Sequence, residues 1–309
     1  MTRQAETAEK GRHDLDWPEE RVGGDTPCIR WAQPGSNICL DFHGDPCNAR
    51  LVVFSDGNHH MALRECLDLF LGRNKGLSGI FYATTPPGPI VGMLREGGLQ
   101  MGNLVIHVSP HVFIGPPKVL DNLVADGFMS EHLPFVRNQG NVLLVKKGNP
   151  KEIFRVSDLL RRDVRLFLSN PETEKASFTA YYNTLKAMAS AQTASPDFLD
   201  DKIAKGQVLF GKHIHHREAP QAVADDRVDV AVVFYHLALR YVRIFPSLFE
   251  IIPLGGTASE PQPDPGNMIG VTHAGIIGDG GEWGASFLRF LSTGPVSKIY
   301  TYHGLLPVK

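Results

Sequence analysis

The residues best suited to chemistry lie in one stretch, Leu51-Val-Val-Phe-Ser-Asp-Gly-Asn-His-His-Met-Ala-Leu63. An apolar, β-branched run ends at Phe54, and Ser55-Asp56-Gly57-Asn58 follows it. A helical pattern then opens with Met61, Leu63, Leu67 and Phe70 on one side. The pattern predicts a strand, a tight turn and a helix start. Asn58 can cap the helix, and Gly57 lets backbone approach a ligand. A helix start carries unpaired N–H groups and the positive end of the dipole, so it can receive an anion. His59 and His60 fall in the first turn, where the dipole favours a neutral ring. Such a ring can hydrogen-bond a solute or take a proton from it.

Other histidines and acids extend this set. The chain has 13 histidines. His107 is expected at the end of one strand and His236 just after another, with Glu172 in a loop between elements. Together they make His59, His236 and Glu172 the candidate acid–base residues. His213 and His215 lie two apart and could face one way on a strand, which is one metal reading. A solvated or hydrogen-bonded strand end is the simpler one, because no acid or thiol stands at a matching spacing. Glu218 is a candidate helix cap, and Arg217 a candidate anion contact. Cys28, Cys39, His43 and Cys47 crowd together, but without the C-x2-C knuckle of zinc modules, so free thiols are expected and no bound metal. Nucleophile-elbow, G-x-G-x-x-G and Walker-type loops are absent, and no cofactor is expected.

Composition narrows the classes. The chain has 309 residues, 42% hydrophobic and 21% charged, with a net charge of −2. That is ordinary for a globular protein of one large or two smaller domains. It lacks the basic excess of a nucleic-acid binder. No apolar run reaches the length of a membrane span. Met1 to Arg12 has no apolar signal core, so the expected location is cytoplasmic.

The pattern from Leu51 onward predicts alternating strands and helices. Strands are expected at 51–54, 79–83, 103–107, 142–146, 164–168, 228–234, 249–253 and 268–272, and helices at 59–71, 90–97, 117–126, 176–189, 219–226, 282–292 and 295–303. This is the signature of an α/β fold with mostly parallel sheets. Residues 1–48 read as a partly disordered N-terminal extension, 49–140 with 266–309 as one lobe, and 141–265 as a second.

The order of these motifs resembles a type II periplasmic binding protein, in particular the molybdate-binding proteins of ABC transporters, from about residue 51 to 309. The matching segments are Phe54-Ser-Asp-Gly-Asn-His-His-Met-Ala-Leu63, Phe81-Tyr-Ala-Thr-Thr-Pro86, Asn103-Leu-Val-Ile-His-Val-Ser109, Asn141-Val-Leu-Leu-Val-Lys-Lys-Gly-Asn-Pro150, Leu168-Ser-Asn-Pro-Glu-Thr173 and Val228-Asp-Val-Ala-Val-Val-Phe-Tyr235, followed by two C-terminal helices. The resemblance implies two α/β lobes, a two-segment hinge and a ligand clamped between the lobes. Carried over by position, it implies Asn58, Thr85, Ser169, Glu174, and Phe234 or Tyr235 as ligand-facing. Asn58 stands where a Ser hydroxyl is usual, Phe234 where a Tyr is usual, and Glu172 and Glu174 add negative charge. An oxyanion wants donors only, so a ligand with both acidic and hydroxyl or amide groups fits better than molybdate.

The expected function is binding of a small anionic or polar-acid ligand, with a membrane transporter or a regulatory protein as partner. One alternative is a cytoplasmic enzyme on this fold, such as a proton-transfer isomerase acting on a small carboxylic acid. Another is a ligand-sensing module.

Overall fold

The computed structural model describes residues 42–101, 104–192, 195, 197–212 and 215–308. The N-terminal cysteines Cys28 and Cys39, and His213, lie outside the described residues. In chain order the first part holds β1 (Phe42–His43), β2 (Leu51–Ser55), α1 (His60–Arg73), β3 (Ile80–Ala83), α2 (Pro87–Glu96), β4 (Leu99–Met101), β5 (Leu104–Ile106), β6 (Val112–Gly115), α3 (Pro117–Ala125) and β7 (Met129–Arg137). There follow β8 (Asn141–Lys146), β9 (Leu166–Leu168), α4 (Lys175–Gln192), α5 (Phe198–Ala204), β10 (Val208–Phe210), α6 (His215–Ala224), β11 (Val230–Phe234), α7 (Tyr235–Ile244) and β12 (Phe249–Pro253). The chain closes with β13 (Val271–Ile277), α8 (Gly281–Leu291), α9 (Gly294–Tyr302) and β14 (Leu306–Pro307).

These elements form two compact units. The first runs to Gly140 and resumes at Ile269. Its seven-stranded sheet has the order β1-β3-β2-β6-β13-β7-β14. β2 pairs in parallel with both β3 and β6, while β13 and β14 pair antiparallel with their neighbours. Alternation along β2 separates the faces, as the pleat requires. Leu51 and Val53 pack with α1, α8 and α9 through Leu63, Phe70, Phe287 and Tyr300. Val52 and Phe54 pack with α2 and α3 through Ile90, Met93 and Leu120.

The second unit, Asn141–Met268, has a five-stranded sheet of order β10-β9-β11-β8-β12. β9, β10 and β11 run parallel, and β8 lies antiparallel to β11 and β12. On one face Val142, Leu144, Phe167, Ala231 and Val233 meet α6 and α7. On the other Leu143, Leu166, Leu168 and Val232 meet α4 and α5.

The structure corrects several expected elements. The run around 103–107 is β5, half of a two-stranded hairpin with β4. The sheet strand that takes the third place is β6, which four apolar residues between Pro110 and Pro116 had concealed. Helix α6 starts at His215 rather than 219 and carries Pro220 within it. Helix α7 is absent from the expected helices, because its apolar face follows β11 without a turn signal.

Candidate functional site

In a sheet of parallel strands, ligands collect beyond the carboxyl ends, where helices begin. In the first unit those ends are Ser55, Ala83 and Gly115. After Ser55 the chain makes a single 3-10 turn, Gly57–His59, before α1. Asn58 does not cap it. Asp56 does, its Oδ1 accepting the Asn58 backbone N–H at 3.0 Å. Asp56 is buried, and burial lifts its carboxyl to about 6, against the smaller opposing pull of that N–H. His59 is buried too. Its Nε2 lies 2.9 Å from Ser55 Oγ and its Nδ1 3.0 Å from the Tyr300 hydroxyl. His60 is half-buried, with Nδ1 on the Gly57 carbonyl at 2.9 Å. Beyond β3, Thr84 and Thr85 are both buried, and Thr84 Oγ1 lies 3.3 Å from His43 Nε2. His107, expected at a strand end of the site, belongs to the β4–β5 hairpin region and bonds the Gly97 carbonyl.

In the second unit the carboxyl ends of β9, β10 and β11 are Leu168, Phe210 and Phe234, and they lie side by side. Asn141, opposite Phe234 in the antiparallel register, sits at the same edge. Ser169 follows β9. The strand's alternation places it on the face of Phe167, whose ring stacks 5.3 Å from His215. Ser169 is fully buried, yet its hydroxyl has no hydrogen-bond partner. Asn141 is equally buried. Its Nδ2 donates to Thr184 Oγ1 at 2.6 Å, and its Oδ1 has no partner.

The loop from Ser169 to α4 is closed by Asn170. Its Oδ1 accepts the N–H groups of Glu172 and Thr173 at 2.8 and 3.2 Å, and its Nδ2 donates to the Gly211 carbonyl. This holds Glu172 exposed on the turn. It turns Glu174 towards the start of α6, where its two carboxylate oxygens accept the His215 N–H at 3.0 and 3.2 Å. Burial pushes the Glu174 carboxyl up to about 7, opposed by the His215 N–H and helped by the nearby Glu218 charge. Glu218 accepts the Lys212 N–H at 2.8 Å.

His215 is buried with Nε2–H donating to the Val232 carbonyl at 2.8 Å, and burial drives its ring down to about 4. Burial thus keeps the ring neutral, while His213, the other half of the metal reading, lies outside the described residues. Among the described residues no group of three or more His, Cys, Asp or Glu stands together as a metal site. Phe234 stacks on the ring of buried His236 at 5.7 Å and meets Tyr181 at 4.9 Å. Tyr235 faces the α6–α7 core, and its hydroxyl donates to the Ala258 carbonyl at 3.1 Å.

The sequence reading had passed over Asp56, Asn141 and Thr184. Asn141 carried a signal: it is the polar residue heading an otherwise apolar strand.

The family model for bacterial extracellular solute-binding proteins matches residues 51–306. The chain belongs to that family. Solved structures similar to this solute-binding protein share its fold. The periplasmic molybdate-binding protein of Azotobacter vinelandii is 15% identical, with a TM-score of 0.57 over 84% of this chain and 100% of that one. The sulfate-binding protein SubI of Mycobacterium tuberculosis is 16% identical, with a TM-score of 0.60 over 84% and 87%. Peb3 of Campylobacter jejuni is 12% identical, with a TM-score of 0.58 over 83% and 99%. No curated protein matches this solute-binding protein by sequence. No described helix is long and apolar enough to cross a membrane.

Proposed function

We propose that this solute-binding protein takes a small polar acid at the carboxyl edge of the second unit's sheet, with Ser169 as a principal contact. The observation that carries the reading is the Ser169 hydroxyl, fully buried and without a partner. Leaving such a group unsatisfied costs about 1–3 kcal/mol, which a ligand oxygen would recover. Helix α7 supports the reading. It starts beside Ser169's strand, and no side chain caps it. A helix start without a side-chain cap, at the positive end of the dipole, suits a carboxylate. Phe234 and the unpartnered Asn141 Oδ1 stand at the same edge.

The candidate acid–base residues favour binding over an isomerase. His59 is buried with both ring nitrogens engaged, His236 is buried against Phe234, and Glu172 lies exposed. A membrane transporter as partner follows from the same reading. Placement is part of it too: the sequence expectation is cytoplasmic, the family is described as extracellular, and fractionation of cells making the native chain separates the two.

The test is titration calorimetry with a panel of small mono- and dicarboxylic acids, with and without hydroxyl, amide or amine groups. Binding by one class, weakened about tenfold in Ser169→Ala, is expected, the worth of one net hydrogen bond. Undiminished binding in that variant would remove Ser169 from the site.

A further inference from the structure

In the first unit β7 and β13 pair antiparallel, with His132 opposite Gly275 and His273 opposite Pro134. The two histidines are therefore diagonal neighbours, and the pleat puts both side chains on one face of the sheet. They are 141 residues apart in sequence, yet their Nδ1 atoms lie 2.8 Å apart. Their ring centres are 4.9 Å apart, with the rings inclined at 60°. Helix α3 supplies a third group. Its Leu120 and Leu123 are buried in the core, which leaves Asp121 on the exposed side. Asp121 Oδ1 lies 3.1 Å from His132 Nε2.

These contacts fix the protons. A carboxylate only accepts, so His132 donates through Nε2–H and its Nδ1 carries a lone pair. The bond between the rings then needs the Nδ1–H of His273 as donor. One proton thus lies between two ring nitrogens that aim at the same point. A carboxylate on the far nitrogen orients the His132 ring, the support that metal-binding imidazoles usually have. Burial, helped by His132, holds the His273 ring below the ordinary histidine range against the pull of Asp121, and a neutral imidazole is the form that ligates. The His132 side chain is 12% exposed and His273 is half-buried, so water reaches the pair.

We infer that His132 and His273 bind a late divalent transition-metal ion through their Nδ1 atoms, with Asp121 holding His132 in place. The ion takes the position of the bridging proton, which moves to Nε2 of His273. Two metal–nitrogen bonds of about 2.0–2.1 Å set their nitrogens about 2.9 Å apart at a right angle and about 3.3 Å apart at a tetrahedral one. The separation of 2.8 Å is nearer the first. Square-planar or tetragonal coordination suits copper(II) and nickel(II), and copper(II) stands highest in the general order of affinity. Among the described residues no third His, Cys, Asp or Glu completes a closed site, so water fills the remaining positions. The pair lies in the first unit, and the inference does not depend on the solute reading.

The experiment uses the full chain as wild type, His132→Gln, His273→Gln and Asp121→Asn, each checked by circular dichroism. Asp121 is exposed, so its variant folds whatever the histidine changes do. Nickel(II) chloride is the first probe, because it does not oxidise the chain's thiols. Copper(II) chloride and zinc(II) chloride follow. Calorimetry at pH 7.5 should find a nickel site in wild type that each histidine variant weakens at least tenfold. Asp121→Asn should keep the site and weaken it about tenfold. Copper(II) added below one equivalent should give wild type a tetragonal electron paramagnetic resonance signal with coupling to two imidazole nitrogens, and His273→Gln should lose it. Copper(II) should bind more tightly than zinc(II) at this site. A nickel affinity that none of the three changes moves would overturn the inference. So would tighter binding of zinc(II) than of copper(II) at the site that they affect.

Discussion

The His59 imidazole and the Tyr300 hydroxyl share a hydrogen bond of 3.0 Å, which ties the loop after β2 to α9 across 241 residues of sequence. Both groups are buried, and the other ring nitrogen of His59 sits on Ser55 Oγ. The link is a fastening of the candidate ligand loop, within one unit, by a helix remote in sequence. Tyr300→Phe keeps the ring packing against Phe135 but strands the imidazole Nδ1. It should destabilise by about 1–3 kcal/mol. The melting temperature should fall by about 2–4 °C for each kcal/mol lost. Calorimetry showing no change would mean that the loop is held by its own 3-10 turn alone.

Asp56 makes a pH prediction. Its carboxyl ordinarily titrates near 3.8, and burial holds it at about 6 in the folded chain. Between those values the folded state binds more protons than the unfolded one. Its contribution to stability therefore falls as pH rises from about 4 to 6, and the full penalty is present above. A shift of this size corresponds to about 3 kcal/mol. Asp56→Asn retains an oxygen for the Asn58 N–H and removes the charge. Its urea midpoint should exceed that of wild type at pH 7, and the gap should narrow towards pH 4. A variant less stable than wild type at pH 7 would mean that the ionised carboxylate is favourably held.

The two-sheet α/β fold was legible because strands such as Leu51–Phe54 and Val230–Phe234 are short apolar runs followed by polar turns or helical periodicity. The candidate site was legible only by position. Asn58 and Ser169 sit in the expected strand-end loops, but the roles of their neighbours depend on distant partners. No local pattern announces that Asp56, not Asn58, closes the turn before α1, since both are good capping types. Nor does Glu174 announce itself as an acceptor, because the N–H it takes belongs to His215, 41 residues on. His59 read as a ligand-loop base because its dipole position was visible and Tyr300 was not. β6 and α7 were hidden because continuous apolar runs lack the alternation that separates strand from helix.

Asn267 holds the edge on which Asn141 stands. Its Oδ1 accepts the Asn141 N–H at 2.7 Å, and its Nδ2 donates to the carbonyls of Asn141 and Leu254 at 2.9 and 3.0 Å. Asn267→Ala removes all three bonds and leaves buried backbone groups unpaired. The cost should be about 2–4 kcal/mol on the transition of the second unit, since each unsatisfied group costs about 1–3 kcal/mol and water entry recovers part. Amide exchange should quicken at Asn141 and across β8. Asn267→Asp keeps the acceptor alone and should fall between. Exchange unchanged at Asn141 in Asn267→Ala would show that β8 pairing with β11 suffices to hold this edge.

Ser169 separates stability from binding. Its hydroxyl is fully buried without a partner. Replacing an unsatisfied polar group by an apolar one of smaller size removes a desolvation penalty and opens a space of about one atom. The two terms oppose, and the first is the larger for a hydroxyl at full burial. Ser169→Ala should therefore leave the unliganded protein as stable as wild type or up to about 1 kcal/mol more stable. The same change should cost about tenfold in affinity for the bound acid, so stability and affinity move in opposite directions, as expected where a site carries stored strain for its ligand. The measurement pairs guanidinium unfolding without ligand against calorimetric titration with the small acid that binds best. A loss of more than about 1 kcal/mol in the unliganded protein would place the hydroxyl in the fold's own hydrogen bonding and remove it from the binding edge.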